Sequence, residues 1–322
     1  MDLDDLSKDE RNDVLARMAD LYYNQQMTQI DIAKRYDTTR FKVAKMLQEA
    51  RDAQIVEIKV NYSSERNHTL ERQLAEAFGL DGAIVVDTKY ATFIDGLRDL
   101  GKMGAIRVNE LLMSRESTTL GLTWGKSIQS VIEQLPRTAR TDISAVQLAG
   151  NFDSARPTSE SREVVRAAAA SFLGTPYYLN APLYVRDDAT RTGLRREPDL
   201  ARTFAKAKAL DVVLTGVGAA SSLPSVIPTL APYLADDDRK ALEACKGSIF
   251  GYILDGAGEV ARTRLNSWLM AAPLEDVLAA PHRICVVHGR NKVPVAAIVA
   301  RARLVNELVT DAETAALMLE LV

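Results

Sequence analysis

The sequence predicts two folded parts: an N-terminal all-α helix-turn-helix domain, with or without a β wing, and a larger α/β, Rossmann-like C-terminal domain. Three observations carry this. The first sixty residues contain neither Gly nor Pro and read as helix almost throughout. Beyond Leu80, short β-branched runs alternate with helical segments. Within residues 34–51 there are six basic residues (Lys34, Arg35, Arg40, Lys42, Lys45, Arg51) against two acidic ones, Asp37 and Glu49, in a chain whose net charge is -3. That balance excludes nucleic-acid binding by bulk basicity and leaves a local patch as the route to DNA. The predicted boundaries are 1–60 for the helix-turn-helix domain, 61–79 for a linker helix, and 80–322 for an effector-binding and oligomerisation domain.

A first helix is expected over 8–24, with Val14, Leu15, Met18, Leu21 and Tyr22 on one face. Thr28 suits the N-cap of a short second helix, with Asp31 as its acidic capping partner and Ile30, Ile32 and Ala33 on its apolar side; the helix ends near Tyr36. Asp37, Thr38 and Thr39 have turn and cap chemistry. A third helix follows over 40–53, with Val43, Met46, Leu47 and Ala50 inward. Residues 55–60 alternate with period two and read as a strand, either a wing or a link. Leu70, Leu74, Ala77 and Phe78 form the stripe of the linker helix. Strands are then expected at 83–86, 118–122, 143–148, 211–215 and 284–288. Their alternation with helices predicts a mainly parallel sheet covered on both faces, with ligands at the carboxyl ends of its strands.

The length of 322 residues, with 47% hydrophobic and 26% charged residues, is ordinary for a globular chain with a sizeable core. Cys245 and Cys285 lie far apart, without metal-ligand spacing, and read as reduced core thiols. His68, His282 and His288 are scattered and form no metal set. No cofactor or metal is implied. The acidic, polar N-terminus is unlike a signal peptide, and no run approaches the roughly 20 apolar residues of a membrane span, so a soluble, cytoplasmic protein is expected.

Residues 27–47 have the spacing of a helix-turn-helix. Ala33 is small enough to let two helices approach. Ile30, Ile32, Val43 and Leu47 supply a shared core, and Thr38 or Thr39 caps the second helix so that its first turn can enter a major groove. Thr39, Arg40, Phe41 and Lys42 lie at that groove-facing end. The candidate DNA-binding residues are Thr28, Gln29, Thr38, Thr39, Arg40, Lys42 and Lys45, with Arg40 and Lys42 for base edges and Lys45 for phosphate.

On these residues the chain resembles the SorC family of sugar-responsive bacterial transcriptional regulators. The run DIAKRYDTTRFKVAKMLQEARDAQIVEIKV is similar to that family's N-terminal pattern, with Tyr36-Asp37-Thr38 where a Leu-Gly type turn is common. TLGLTWGKSI, VQLAGN, VVLTGVGAAS, GSIFGYILDGAGE, HGRNKVPVAAI and LVNELVTDAETA follow in the family's order, so the resemblance covers essentially the whole chain. It implies an effector domain related to sugar-phosphate isomerases and deaminases. It also implies a dimeric or tetrameric repressor or activator whose hold on double-stranded operator DNA is changed by a sugar, polyol or sugar phosphate.

The candidate effector residues are Gly121, Thr123, Gly125, Lys126, Ser127, Gly216, Gly218, Asp255 and Lys292. The turn from Gly121 to Ser127 follows a strand and opens a helix, where backbone N–H groups favour an anion; its glycine spacing is one residue short of a Walker motif. Gly216 and Gly218 allow close backbone approach. Asp255 offers a carboxylate to sugar hydroxyls, and Lys292, after a Gly turn, offers a cation. Around that lysine, His288-Gly289-Arg290 stands where the family commonly has a Gly-Gly pair. Arg186, Arg191, Arg195 and Arg196 read as a surface cluster. Two other functions stay open: a sugar-phosphate isomerase or deaminase with an added DNA-binding domain, and a regulator whose larger domain only oligomerises. Turnover of sugar phosphates separates the first from a regulator, and a ligand-induced rise in melting temperature separates the second.

Overall fold

A computed structural model describes all residues except 1–6, 54, 57–64, 88–91, 153–160, 223–229 and 235. The chain divides into two compact units, Met1–Ser63 and Ser64–Val322.

The smaller unit is built on helices α1 (Lys8–Ala19), α2 (Gln29–Arg35) and α3 (Arg40–Asp52). Ser7 and Glu10 close a reciprocal capping box at the start of α1. The first helix stops five residues earlier than its apolar periodicity predicts, because Asp20–Asn24 is wound as a π turn with Leu21 still buried. The core joins Val14, Leu15 and Met18 to Ile32 and Ala33 and to Val43, Met46, Leu47 and Ala50. Ile30, expected in that core, is instead 52% exposed; a seven-residue helix has one inward face, and Ile32 and Ala33 occupy it. Arg11 clasps Glu49 in a two-pronged ion pair, Nε–Oε1 2.5 Å and Nη2–Oε2 2.7 Å, tying α1 to α3. The strand expected over 55–60 falls largely outside the described residues; Ile55 and Val56 pack against the helical core.

The larger unit holds a seven-stranded sheet. Its strands are β1 (Gly82–Val86), β2 (Thr119–Leu122), β3 (Ser144–Gln147), β4 (Thr175–Tyr177), β5 (Val212–Thr215), β9 (His282–Val287) and β10 (Glu307–Asp311). Their order is β1-β10-β9-β5-β2-β3-β4, and every pairing is parallel. From β2 the chain builds outward through β3 to β4. It then returns to place β5 on the other side of β2 and proceeds through β9 to β10. The neighbours β2 and β5 are therefore the switch point, where connections leave in opposite directions and a crevice opens at the carboxyl ends.

Alternate strand residues enter two cores. Leu120, Leu122, Val212, Leu214, Ile284 and Val286 meet helices α5 (Phe93–Met113), α6 (Lys126–Glu133) and α7 (Ser161–Phe172). Val213, Cys285 and Val287 share the opposite core with residues of α4 (His68–Phe78), α9 (Pro198–Ala207), α13 (Val293–Arg301) and α14 (Ala312–Leu319). Burial on both faces explains why these strands read as continuous apolar runs.

The helix expected as a linker, α4, is part of this unit. Leu74 and Phe78 are buried beside Val85 and Met318, and the buried Glu71 accepts from Arg66 and from the Val85 N–H at 3.0 Å. An amphipathic stripe of this kind needs a surface to cover, and the sheet supplies it. A second sheet, antiparallel, joins β6 (Gly218–Ala219), β7 (Gly247–Ile249) and β8 (Tyr252–Leu254). It was not anticipated, and neither were β4 and β10. Among the described residues no helix is long and apolar enough to cross a membrane.

Candidate functional site

The crevice at the switch point is a cavity of about 190 Å³. Three strand ends meet there. Beyond β2 come Thr123, Trp124, Gly125, Lys126 and Ser127; beyond β5 come Gly216 and Gly218; and beyond β9 comes Lys292. Ser248, Ile249, Phe250 and Gly251 of the β7–β8 hairpin complete the lining. In this hairpin both turn residues have left-handed backbones, Phe250 at φ +54° and Gly251 at φ +91°, the twist that a two-residue hairpin requires. Phe250 is nonetheless buried, and its packing holds it in a conformation that non-glycine residues seldom take.

Helix α6 begins at the cavity. Its N-cap is Gly125, whose φ of +124° is open to glycine and strained for other residues, and which contributes no side-chain cap. Among the described residues no side chain caps the first N–H groups of α6, an arrangement suited to an anionic ligand. Thr123 is buried, its hydroxyl 3.1 Å from that of Thr215, which in turn donates to the Gly216 carbonyl at 2.9 Å. Gly218 lets the second sheet close over the cavity, since a Cβ there would fall 2.4 Å from Ser248 Oγ.

Two lysines set the charge. Lys292 ends a short 3-10 turn (Arg290–Lys292) before α13. Burial holds its ammonium below the usual lysine range, and the nearby Lys126 pushes it further down. Among the described residues neither lysine has a carboxylate partner, and the cavity lining contains no acid. A desolvated cation without a counter-ion, an exposed second cation and an uncapped helix start make a receptor for an anion. Cys285, behind Lys292, is fully buried; its thiol is pushed up to about 12 by burial and is inert.

Seven of the nine effector candidates therefore line one cavity: Thr123, Gly125, Lys126, Ser127, Gly216, Gly218 and Lys292. The other two do not. Gly121 is inside β2, where a Cβ would press on Leu148 and Leu210 at 3.0 Å, so its role is packing. Asp255 accepts from the N–H groups of Ala257 and Glu259 at 2.9 and 3.0 Å and is spent on closing a turn. Sequence reasoning missed the β7–β8 hairpin; its glycine after Phe250 is a turn signal, yet nothing local shows that the turn covers a cavity. Arg191, Arg195 and Arg196 line a different groove of about 500 Å³, where Arg195 stacks on Phe204 at 4.0 Å. The three histidines each pair with an acid: His68 with Glu71, His282 with Glu307 and His288 with Asp311.

In the smaller unit, α2 and α3 are joined by a turn in which Asp37 takes φ +49° and the Thr38 N–H donates to the Ala33 carbonyl at 2.9 Å. Asp tolerates this left-handed backbone better than most residues, which is how the chain turns without glycine. Thr28 and Thr39 spend their hydroxyls on capping, accepting from the Asp31 and Lys42 N–H groups, each at 3.2 Å. Arg40 and Lys45 are exposed, and Thr38 and Lys42 are half-buried. Gln29 and Arg40 line one concavity together with Tyr22, Gln26 and Thr28. Phe41, beside them, is 86% exposed.

The sugar-binding domain family matches residues 62–320. The sorbitol operon regulator of Klebsiella pneumoniae is 25% identical over 311 residues, covering 95% of this chain and 98% of its own. The crystal structure of that full-length regulator, SorC, superposes with a TM-score of 0.73 over 98% of this chain and 100% of its own, at 25% identity. The chain belongs to the SorC family. The transcriptional regulator LsrR of Escherichia coli (strain K12) is a further relative, 26% identical over 95% of this chain and 94% of its own. The protein is accordingly a sugar-responsive, DNA-binding transcriptional regulator of the SorC type, with helical N-terminal and parallel-sheet sugar-binding parts.

Proposed function

We propose that the effector is a phosphorylated sugar or polyol held in the 190 Å³ cavity, and that it controls the hold of α3 on operator DNA. The observation that carries this is Lys292, largely buried beside Lys126 and a helix start without a side-chain cap, with no acid among the described lining residues. The phosphate sits between the two lysines and the first turn of α6, while Thr123 and Ser127 meet its oxygens or the adjacent hydroxyls. The protein acts as a receptor and not as an enzyme. The similarity to transcriptional regulators over nearly the whole chain supports this reading. Paired copies of the chain present two α3 helices to two half-sites, and the effector shifts DNA affinity by binding one arrangement more tightly than the other.

The test is a calorimetric titration with a panel of sugar phosphates and their unphosphorylated parents. The wild type is expected to prefer a phosphorylated member at least tenfold. Lys292→Met is expected to lose that preference and still retard operator DNA. Equal affinity for both classes, or an unchanged preference in Lys292→Met, removes the phosphate from the cavity.

A further inference from the structure

We infer that Phe41 reads a thymine methyl group, so that part of the operator's sequence is recognised through an apolar contact. The inference rests on the reading of α3 as the recognition helix. With successive residues about 100° apart, the buried stripe Val43, Met46, Leu47 and Ala50 fixes the inward direction of α3. Phe41 and Lys45 lie nearly opposite it, while Arg40 and Lys42 flank it to either side. The centre of the outward face at the helix start is therefore an aromatic ring. That ring is the most exposed of the chain's large apolar side chains among the described residues, at 86%.

Isolated apolar residues on a surface are ordinary. This one stands on the second residue after the N-cap Thr39, in the turn that a helix-turn-helix inserts into the major groove, and exposed Arg40 and Lys45 surround it. The cations match the phosphate backbone. A phenyl ring can neither donate to a phosphate nor pair with a polar base edge. What the major groove offers it is the C5-methyl of thymine, which no other base carries there. Among its neighbours, Arg40 and Lys42 lie toward the flanks by the same spacing of about 100°, and Thr39, whose hydroxyl caps the helix, offers one methyl against a whole phenyl ring.

The test uses the full chain and a duplex enriched by it from random double-stranded oligonucleotides. Each thymine is replaced in turn by deoxyuridine, which deletes only the methyl. At one position per half-site the wild type is expected to lose affinity about fourfold, the scale of one buried methyl. Phe41→Ala, at a site too exposed to disturb folding, is expected to be insensitive at that position and to keep the same salt slope, since no phosphate contact is removed. Deoxyuridine penalties that persist in Phe41→Ala overturn the inference. So does a uniform weakening on every duplex, or a change of oligomeric state in sedimentation, which would place the ring in a contact between proteins. If no duplex is enriched, the recognition-helix reading itself fails, and this inference with it.

Discussion

Lys292 shows how one residue links stability to recognition. Its ammonium lies below the usual lysine range because burial strips its water and Lys126 repels it. Between that lowered value and the ordinary one, the unfolded chain keeps a proton that the ligand-free folded chain has lost. Ligand-free stability therefore rises with pH through this alkaline window and is lower beneath it. An anion beside Lys292 restores the proton, so anion affinity is expected to fall with rising pH over the same window. Lys292→Met removes the burial cost at neutral pH. Its melting temperature without ligand is expected to rise, by roughly 2–4 °C for each kcal/mol regained. Calorimetric scans at pH 7 and at alkaline pH check this; a lower melting temperature at pH 7 contradicts a desolvated, unpaired lysine.

At the scale of elements, caps and stripes do different work. Thr39 caps α3 through the Lys42 N–H, and Thr39→Ala is expected to cost the smaller unit about 1 kcal/mol. Leu74 is fully buried between α4 and the sheet, so Leu74→Ala is expected to cost about 2–5 kcal/mol. The loss is expected in the unfolding of the larger unit, followed by chemical denaturation with Trp124 and Trp268 as reporters, since the chain's two tryptophans both lie there. A loss shared equally with the helical unit, tracked by hydrogen exchange at α3, would mean that α4 belongs to both. Leu70, Leu74 and Phe78 were legible as a stripe. The surface they cover was not, because periodicity gives the direction a helix faces and not the element it meets.

At the scale of the molecule, the proposed coupling between effector and operator is reciprocal. If the effector changes operator affinity by a given factor, saturating operator must change effector affinity by the same factor. Titrating effector with and without an operator duplex measures both arms at fixed salt; unequal factors would mean that the two ligands do not act through one shared equilibrium. Gly121 and Asp255 belong at this scale too. A glycine after a strand and a carboxylate before a turn both suit a ligand, yet both are used by the fold: Gly121 is crowded by Leu148 and Leu210, and Asp255 holds the N–H groups of Ala257 and Glu259.

The sequence by itself determined the cap at Thr28, narrowed the next cap to Thr38 or Thr39, and determined the helix-turn-helix spacing, the apolar central strands and the Gly125-Lys126-Ser127 turn. Each is fixed by interactions between residues a few positions apart. Only the tertiary structure decided that Gly216, Gly218 and Lys292 converge with that turn, that a hairpin of opposite pairing roofs the cavity, and that no described acid answers the two lysines. The physical reason is the parallel topology. It gathers strand ends far apart in the chain, Ser127 and Lys292 being 165 positions apart (292 − 127), and local pattern carries no record of which ends become neighbours.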